Sequence, residues 1–301
     1  MTETAPATAA TTQRGTLFVE DTPVTELSEF PGNQFVLRLH APKIATHATA
    51  GSFIHLRCDE TIPMRRPLSI MRADADEGWI EVLFKIVGEG LRSLAGKKAG
   101  DKLNCIGPIG KGFVVHGKRP RTVLIGGGVG IPPMIFLAEQ MLRQGHEPHP
   151  LVLMGSELPF PFECSESHMA SHWLDQEAPA SIRDLEDLGI LNRLASLSGF
   201  AGAYRGYVTD LAKHFLGSLT AAELAQTELF ACGPTVMLQA VSSLARQYDL
   251  PCQVSLEEYM ACAVGGCAGC AVRVETPNGP AMKRVCVDGP VFEASQVFAN
   301  H

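Results

Sequence analysis

Apolar residues in the first third of the chain recur in short alternating or unbroken runs separated by turn residues. The clearest are Gln34-Phe35-Val36-Leu37-Arg38-Leu39, Ser52-Phe53-Ile54-His55-Leu56 and Trp79-Ile80-Glu81-Val82-Leu83-Phe84-Lys85-Ile86. Evenly spaced strands punctuated by Pro and Gly predict a small antiparallel β barrel over residues 15–117. The pattern changes at Arg119-Pro120-Arg121. There Thr122-Val123-Leu124-Ile125 runs into Gly126-Gly127-Gly128-Val129-Gly130, a helical period spans about Pro132 to Gln144, and a second strand covers Pro150 to Met154. That order is a βαβ unit, so residues 118–251 are expected to form an α/β domain on a parallel sheet. A later strand, Glu228-Leu229-Phe230-Ala231, runs into Cys232-Gly233-Pro234, and a helix is expected from about Thr235. Residues 158–203 mix helical patterning with few strand signals and receive no assignment. Residues 252–301 are expected as a small third domain holding a cysteine loop, a strand from Val272 to Glu275 and a closing Cys286. Residues 1–14 are rich in Thr and Ala without any period, as in a mobile tail. The chain has no internal repeat.

Composition narrows the class. At 301 residues, with 46% hydrophobic and 19% charged positions, the chain is folded and longer than one average domain. A net charge of −7 argues against a nucleic-acid partner and supplies no basic patch for a membrane surface. No apolar run reaches the length of a membrane span, and no signal-peptide pattern is present, so a cytoplasmic protein is expected. Nine cysteines without an export signal fit a reducing compartment.

Four of those cysteines carry the most specific chemistry. Cys262, Cys267 and Cys270 read C-x4-C-x2-C, and Cys286 follows after fifteen residues. This start is the spacing of a plant-type [2Fe–2S] loop, and the Ala and Gly between the ligands let backbone curl close to inorganic sulfur. Structural zinc is the competing reading, but it usually pairs one CxxC with another or with HxxxH, and only one CxxC is present.

Three further motifs are weaker. Arg65-Arg66-Pro67-Leu68-Ser69-Ile70 could clamp a phosphate between a guanidinium and a hydroxyl, or be a structural Arg before a strand. Gly126 to Gly130 joins a strand to a helix and would expose N–H groups to a pyrophosphate. It is not G-x-G-x-x-G, and a ligand-free tight turn is its alternative. Cys232, at the end of a late strand, could face the same cleft or simply be a buried thiol before a helix.

Taken with Lys85 to Leu91 and Gly107-Pro108-Ile109-Gly110-Lys111-Gly112-Phe113, these motifs resemble the ferredoxin–NADP reductase superfamily. More narrowly, the cysteine quartet and Val285-Cys286-Val287-Asp288-Gly289-Pro290-Val291-Phe292 resemble the iron–sulfur electron-transfer subunits of class 1B dihydroorotate dehydrogenases. The resemblance spans about residues 15–298. It implies an FAD-binding barrel, an NAD(H)-binding α/β domain and a [2Fe–2S] domain. It also implies that Arg66, Pro67, Leu68 and Ser69 hold the FAD pyrophosphate and ribityl region. Leu83, Phe84 and Lys85 would line the flavin, and Gly90 and Leu91 would cover its phosphate side. Gly126, Gly127, Gly128, Val129 and Gly130 would face the nicotinamide dinucleotide with Cys232 near its ring, while the four cysteines ligate the cluster. No general base is required and none is assigned. The implied partner is an FMN-containing dehydrogenase catalytic subunit, in a hetero-oligomer.

Two positions depart from that pattern: Leu91 stands where relatives carry Thr, and Leu197-Ser198-Gly199-Phe200 replaces an acidic stretch ahead of Gly206-Tyr207-Val208-Thr209-Asp210. Glu157, after the second sheet strand, would repel a 2′-phosphate and so favours NAD over NADP. A reductase subunit of a different complex and a non-catalytic scaffold with degenerate sites are the competing functional readings.

Overall fold

Burial alternating with half-exposure wraps the first strands into a closed antiparallel barrel in the computed structural model, which describes residues 17–174 and 178–299. The tail expected over residues 1–14 lies outside them. The strands are β1 (Phe18–Phe30), β2 (Gln34–His40), β3 (Phe53–Leu56), β4 (Arg66–Asp74), β5 (Trp79–Lys85) and β6 (Lys102–Ile109), in the order β1-β2-β5-β4-β3-β6. Helix α1 (Pro42–His47), with Pro in its first turn, and α2 (Glu89–Ala95) fill two connections. Leu37, Leu39, Ile54, Ile70, Ile80 and Val82 are fully buried in the core. Each such side chain contributes roughly 1.5–3 kcal/mol over exposure.

After β6 the chain crosses to a second body, held against it by polar side chains of that body. The Val114 N–H donates to Gln253 Oε1 at 3.0 Å, and Gln253 Nε2 donates back to the Val114 carbonyl at 2.6 Å. The second body contains β7 (Arg121–Gly127), α3 (Ile131–Arg143), β8 (Leu151–Gly155), β9 (Cys164–Glu166), β10 (Ala180–Ile182), α4 (Arg183–Asp187) and β11 (Asn192–Ala195). It continues through α5 (Val208–Ser218), α6 (Ala221–Leu224), β12 (Thr227–Cys232), α7 (Thr235–Gln247) and β13 (Cys252–Ser255). The chain ends in β14 (Ala271–Thr276), β15 (Gly279–Arg284), α8 (Val285–Asp288), β16 (Val291–Glu293) and α9 (Ala294–Val297).

The sheet order β11-β8-β7-β12-β13-β16 is parallel except for the antiparallel edge strand β16. The chain leaves β7 first towards β8 and later towards β12, so their carboxyl ends flank a topological switch point, where open α/β sheets bind ligands. Strands β13 and β16 extend this sheet past residue 251, so the expected 252–301 segment shares its core with the α/β body. Helix α3 is buried on almost every side, apolar where it meets both the sheet and barrel strand β4. The hairpin β14–β15, Cys270 and Cys286 close a third core on Phe53 and Ile109 of the barrel.

Within the stretch without an assignment, residues 158–174 and 178–191 form an excursion off the sheet, and the chain rejoins it as β11 beside β8. The excursion's central loop is tied by Arg193 on β11, which is buried and donates to Ser167 Oγ at 2.9 Å, to Ser171 Oγ at 3.3 Å and to the Met169 carbonyl. Glu186 accepts from Ser167 Oγ and the Met169 N–H in the same loop, and Ile182, Leu185 and Ile190 anchor the excursion in the core at spacings that repeat no single period. No helix among the described residues is long and apolar enough to cross a membrane.

Candidate functional site

Barrel strands β4 and β5 face the carboxyl ends of the sheet across two adjoining cavities of about 890 and 1040 Å³. Pro67, Ser69, Val87, Leu91 and Glu257 line both, so the two meet along the barrel edge. The first runs from Leu83 and Lys85 to the Gly127–Val129 turn, and the second reaches Ala261 and Gly269 in the cysteine loop. Each approaches or exceeds the upper end of common ligand sites, roughly 300–1,000 Å³. Together they form one groove from glycine turn to cysteine loop.

At the barrel end, Arg65 and Arg66 diverge. Arg65 turns inward and donates to the Asn104 carbonyl at 2.8 Å, which makes it structural. Arg66 donates only to the Met64 and Arg65 carbonyls, has no carboxylate partner among the described residues, and lines the second cavity. A Cβ on Gly90 would sit 3.1 Å from the Arg66 guanidinium, so the first turn of α2 and Arg66 are fitted to one another. A guanidinium without a carboxylate partner, lining the same cavity as Ser69, suits an anion with several oxygens. Leu68, Leu83, Phe84 and Lys85 line the first cavity, but the Phe84 ring stacks on Phe35 at 5.3 Å.

At the sheet end, the five residues Gly126 to Gly130 divide into two jobs. Gly127, Gly128 and Val129 line the cavity, and Gly128 adopts φ +54 with open space around it. Gly126 and Gly130 allow close packing: a Cβ on Gly126 would sit 3.0 Å from Ile131 Cα, and one on Gly130 only 2.3 Å from the Cys232 carbonyl oxygen. Cys232 pairs in register with Gly126 but lines the second cavity, whereas the glycine turn lines the first. Burial, reinforced by Glu257, pushes its thiol up to about 12, so it is a neutral wall rather than a nucleophile.

Sequence reasoning missed Glu257 and named Tyr207 only inside the Gly206–Asp210 stretch, with no role of its own. Glu257 follows the sheet strand β13 and stands exposed where the cavities meet, the groove walls that partly desolvate its carboxyl raising it above the usual carboxylate range. Tyr207 precedes α5 at the rim of the first cavity, its N–H donating to Asp210 Oδ2 at 3.3 Å. Glu157 and Leu197 line the same cavity, whereas Phe200 turns away to pack edge-on against Phe160.

The cysteine loop has the backbone that sulfur ligation needs. Ala263, Gly265 and Ala268 take positive φ, curling the chain so that the Cys267 N–H points at Cys262 Sγ and the Gly269 N–H at Cys267 Sγ, each at 3.4 Å. Cys270 and Cys286 are buried with their sulfurs 3.4 Å apart. Burial opposes ionisation of Cys262, yet the N–H groups of Cys267 and Val264 help lower its thiol to about 6. Burial and the Cys270 thiol push Cys286 to about 12. Among the described residues no three ligating side chains are gathered as for a single metal ion. Two thiols in a donor-rich loop and two in a core suit a [2Fe–2S] cluster, which is bound by four thiolates and stabilised by hydrogen bonds to sulfur.

His55 on β3 was read only as part of a strand. It is fully buried, and neither ring nitrogen has a hydrogen-bond partner among the described residues, although the Met260 and Arg65 backbones approach it. Burial first, then Arg65, lowers its imidazole from 6.5 to about 4. The unfolded chain therefore binds a proton near pH 6.5 that the fold refuses until about pH 4, so stability falls as pH drops through that window. Replacing His55 by Leu is expected to shrink the loss of stability between pH 7 and pH 4.5 by about 2 kcal/mol, measured by urea unfolding. An unchanged pH dependence would refute this.

Known proteins resemble this chain along most of its length. A family model described as the iron–sulfur cluster binding domain of dihydroorotate dehydrogenase B matches residues 257–298. The dihydroorotate dehydrogenase B (NAD(+)) electron transfer subunit of Desulforamulus reducens is 31% identical over 88% of this chain and 92% of that protein. The corresponding subunit of Caldanaerobacter subterraneus is 32% identical over 82% and 86%. Among solved structures, an NADH-dependent reduced ferredoxin–NADP oxidoreductase superimposes with a TM-score of 0.74 over 92% of this chain and 90% of its own, at 22% identity. A ferredoxin–NADP+ reductase from Neisseria gonorrhoeae gives 0.55 over 76% and 91%, at 15% identity. These two likenesses bear on the fold.

Proposed function

The chain belongs to the dihydroorotate dehydrogenase B electron transfer subunits, and from that premise we propose that it moves electrons between NAD(H), FAD and a [2Fe–2S] cluster. The other half of the pair would be an FMN-containing catalytic subunit in a cytoplasmic hetero-oligomer. One observation carries the reading: the groove joins the glycine turn, the Arg66–Ser69 strand and the cysteine loop without a break. When bound, FAD supplies the exchange between hydride pairs and single electrons, and the cluster takes them singly.

The chain's own residues bind, orient and insulate. Arg66 and Ser69 hold the FAD pyrophosphate and ribityl region, with the Pro67–Leu68 backbone between them, Gly90 and Leu91 over the phosphates, and Leu83, Phe84 and Lys85 beside the flavin ring. Leu91 offers apolar cover and backbone in place of a hydroxyl. Gly127, Gly128 and Val129 present N–H groups and a helix start to the dinucleotide phosphates, with Gly126 and Gly130 setting their height. Glu157 disfavours a 2′-phosphate. Cys232 gives a neutral, buried wall beside the nicotinamide, and Glu257 places a carboxyl where the cavities meet. Cys262, Cys267, Cys270 and Cys286 ligate the cluster. Cys267 is exposed, so a cluster held there would be within reach of a partner at the surface.

The purified protein is expected to show flavin bands plus the broad red absorption of a [2Fe–2S] centre, both bleached by NADH without oxygen. Co-expression with the FMN subunit should then yield NAD-dependent oxidation of dihydroorotate. A colourless protein would sink the proposal.

A further inference from the structure

We infer that Arg72 is the positioning residue that sets the dinucleotide turn against the flavin strand. A row of charges crosses the outside of the barrel. Arg38 on β2, Glu81 on β5 and Arg72 on β4 are register partners, and the register shifts between Ile70 and Arg72. Such a bulge re-aims the next side chain. Arg72 therefore leaves the barrel surface and reaches the second body, where its Nε donates to Glu139 Oε1 on α3 at 2.7 Å. A second nitrogen meets Asp184 Oδ2 on α4 at 3.2 Å, and the third stands 3.7 Å from Glu81 Oε2, an ion pair without a hydrogen bond. Arg38 secures Glu81 from the other side at 2.7 Å while covering the Trp79 ring. One guanidinium thus joins barrel, α3 and the excursion.

The two elements it joins carry the site at their other ends. Strand β4 begins with Arg66–Ser69, and Ser69 lies three residues before Arg72, about 10 Å along a strand. Helix α3 begins directly after the Gly128–Gly130 turn, and Glu139 lies about 13 Å along it from that turn. Pinning a stiff strand to a stiff helix at their far ends fixes the separation of their near ends, which face the first cavity. The apolar packing of α3 on β4 supplies adhesion but tolerates sliding, whereas a hydrogen-bonded Arg–Glu pair in a mostly desolvated place specifies register. Glu139 is 9% exposed, so truncating Arg72 would also leave a nearly buried carboxylate with only the distant Arg143, at 3.8 Å. Hydride exchange needs reacting atoms within roughly 3–3.5 Å, so a small slip costs rate before it costs affinity.

This inference rests on the electron-transfer reading, and the test separates the two. Loaded Arg72→Met, Arg72→Lys and Arg72→Met/Glu139→Met proteins are mixed with NADH in a stopped-flow instrument without oxygen. Arg72→Met is expected to lower the limiting rate of flavin reduction at least tenfold, to change the NADH dissociation constant less than threefold, and to leave dithionite reduction of the cluster unchanged. Arg72→Lys should recover part of the rate. The double variant, free of the stranded carboxylate, should regain the wild-type unfolding midpoint yet stay slow, and remains informative if Arg72→Met folds poorly. In the cofactor-free proteins, amide exchange along Ile131–Arg143 should be faster in both Met variants. A wild-type rate in the double variant, or unchanged exchange along α3, would overturn the inference. Absence of NADH-driven flavin reduction in the wild type would instead overturn the electron-transfer reading.

Discussion

Cys267→Ser is expected to abolish the red absorption of the [2Fe–2S] centre while the flavin bands and their bleaching by NADH persist. Cys267 is exposed at the tip of the loop, and its sulfur receives only the Gly269 N–H. A serine there keeps shape and backbone, so the fold has little reason to fail. It does not keep chemistry, because a thiolate is the ligand an Fe–S cluster requires and a hydroxyl ionises far less readily. The loop already lowers one thiol, Cys262, to about 6, which favours metal-ready thiolate near neutrality. Reduction of a one-electron acceptor that draws on the cluster should fall about a hundredfold or more, since the loss is of a relay rather than of a contact. Cys164→Ser, at another exposed cysteine outside the loop, should change nothing. Retention of the cluster in Cys267→Ser would require a different ligand set and would remove the main support for a surface electron exit.

The barrel and the βαβ unit were legible because their strands alternate and their turn is announced by glycines. Strand β7 and helix α3 fall within a residue or so of the periods read at Thr122–Ile125 and Pro132–Gln144. The groove was only half legible. Arg66, Ser69, Gly127 to Val129 and Tyr207 stand in quoted stretches, but Glu257, just after β13, lies outside every motif. The excursion was illegible for a different reason: Arg193 and Glu186 tie its central loop through hydroxyls and backbone groups, bonds that have no sequence period, and its buried Ile182, Leu185 and Ile190 are too few to set one. Arg38 and Glu81 stood inside quoted strands with no role attached, and Arg72 lay outside every quoted stretch. Only the bulge before Arg72 and the position of α3 turn one of those arginines into a tie between bodies. The cysteine spacing gave the chemistry at once, but not the fact that Cys270 and Cys286 belong to a core built on barrel residues Phe53 and Ile109.

Gly130→Ala should remove NADH-driven flavin reduction, by at least about tenfold, while dithionite still reduces flavin and cluster. The reason is steric and lies in the sheet. Gly130 has φ −87, a helical angle that alanine adopts freely, so backbone conformation raises no objection. Its Cβ, however, would lie 2.3 Å from the Cys232 carbonyl oxygen, 2.4 Å from the carbonyl carbon and 2.5 Å from the Gly233 nitrogen. All three are main-chain atoms at the end of β12, whose Cys232 is paired in register with Gly126, and they have no rotamer to change. The turn must therefore lift away from β12, carrying Gly127, Gly128 and Val129 with it. Overpacking of this kind costs about 1–3 kcal/mol, enough to lower the unfolding midpoint without abolishing the fold. Gly128→Ala makes the opposite trade. At φ +54 alanine is strained by about 1–2 kcal/mol, but the space around it is open, so the turn keeps its height and the reduction rate should fall far less. Equal effects of the two substitutions would show that backbone freedom, not the close approach of the turn to β12, governs dinucleotide binding. A wild-type rate in Gly130→Ala would move the dinucleotide away from this turn altogether.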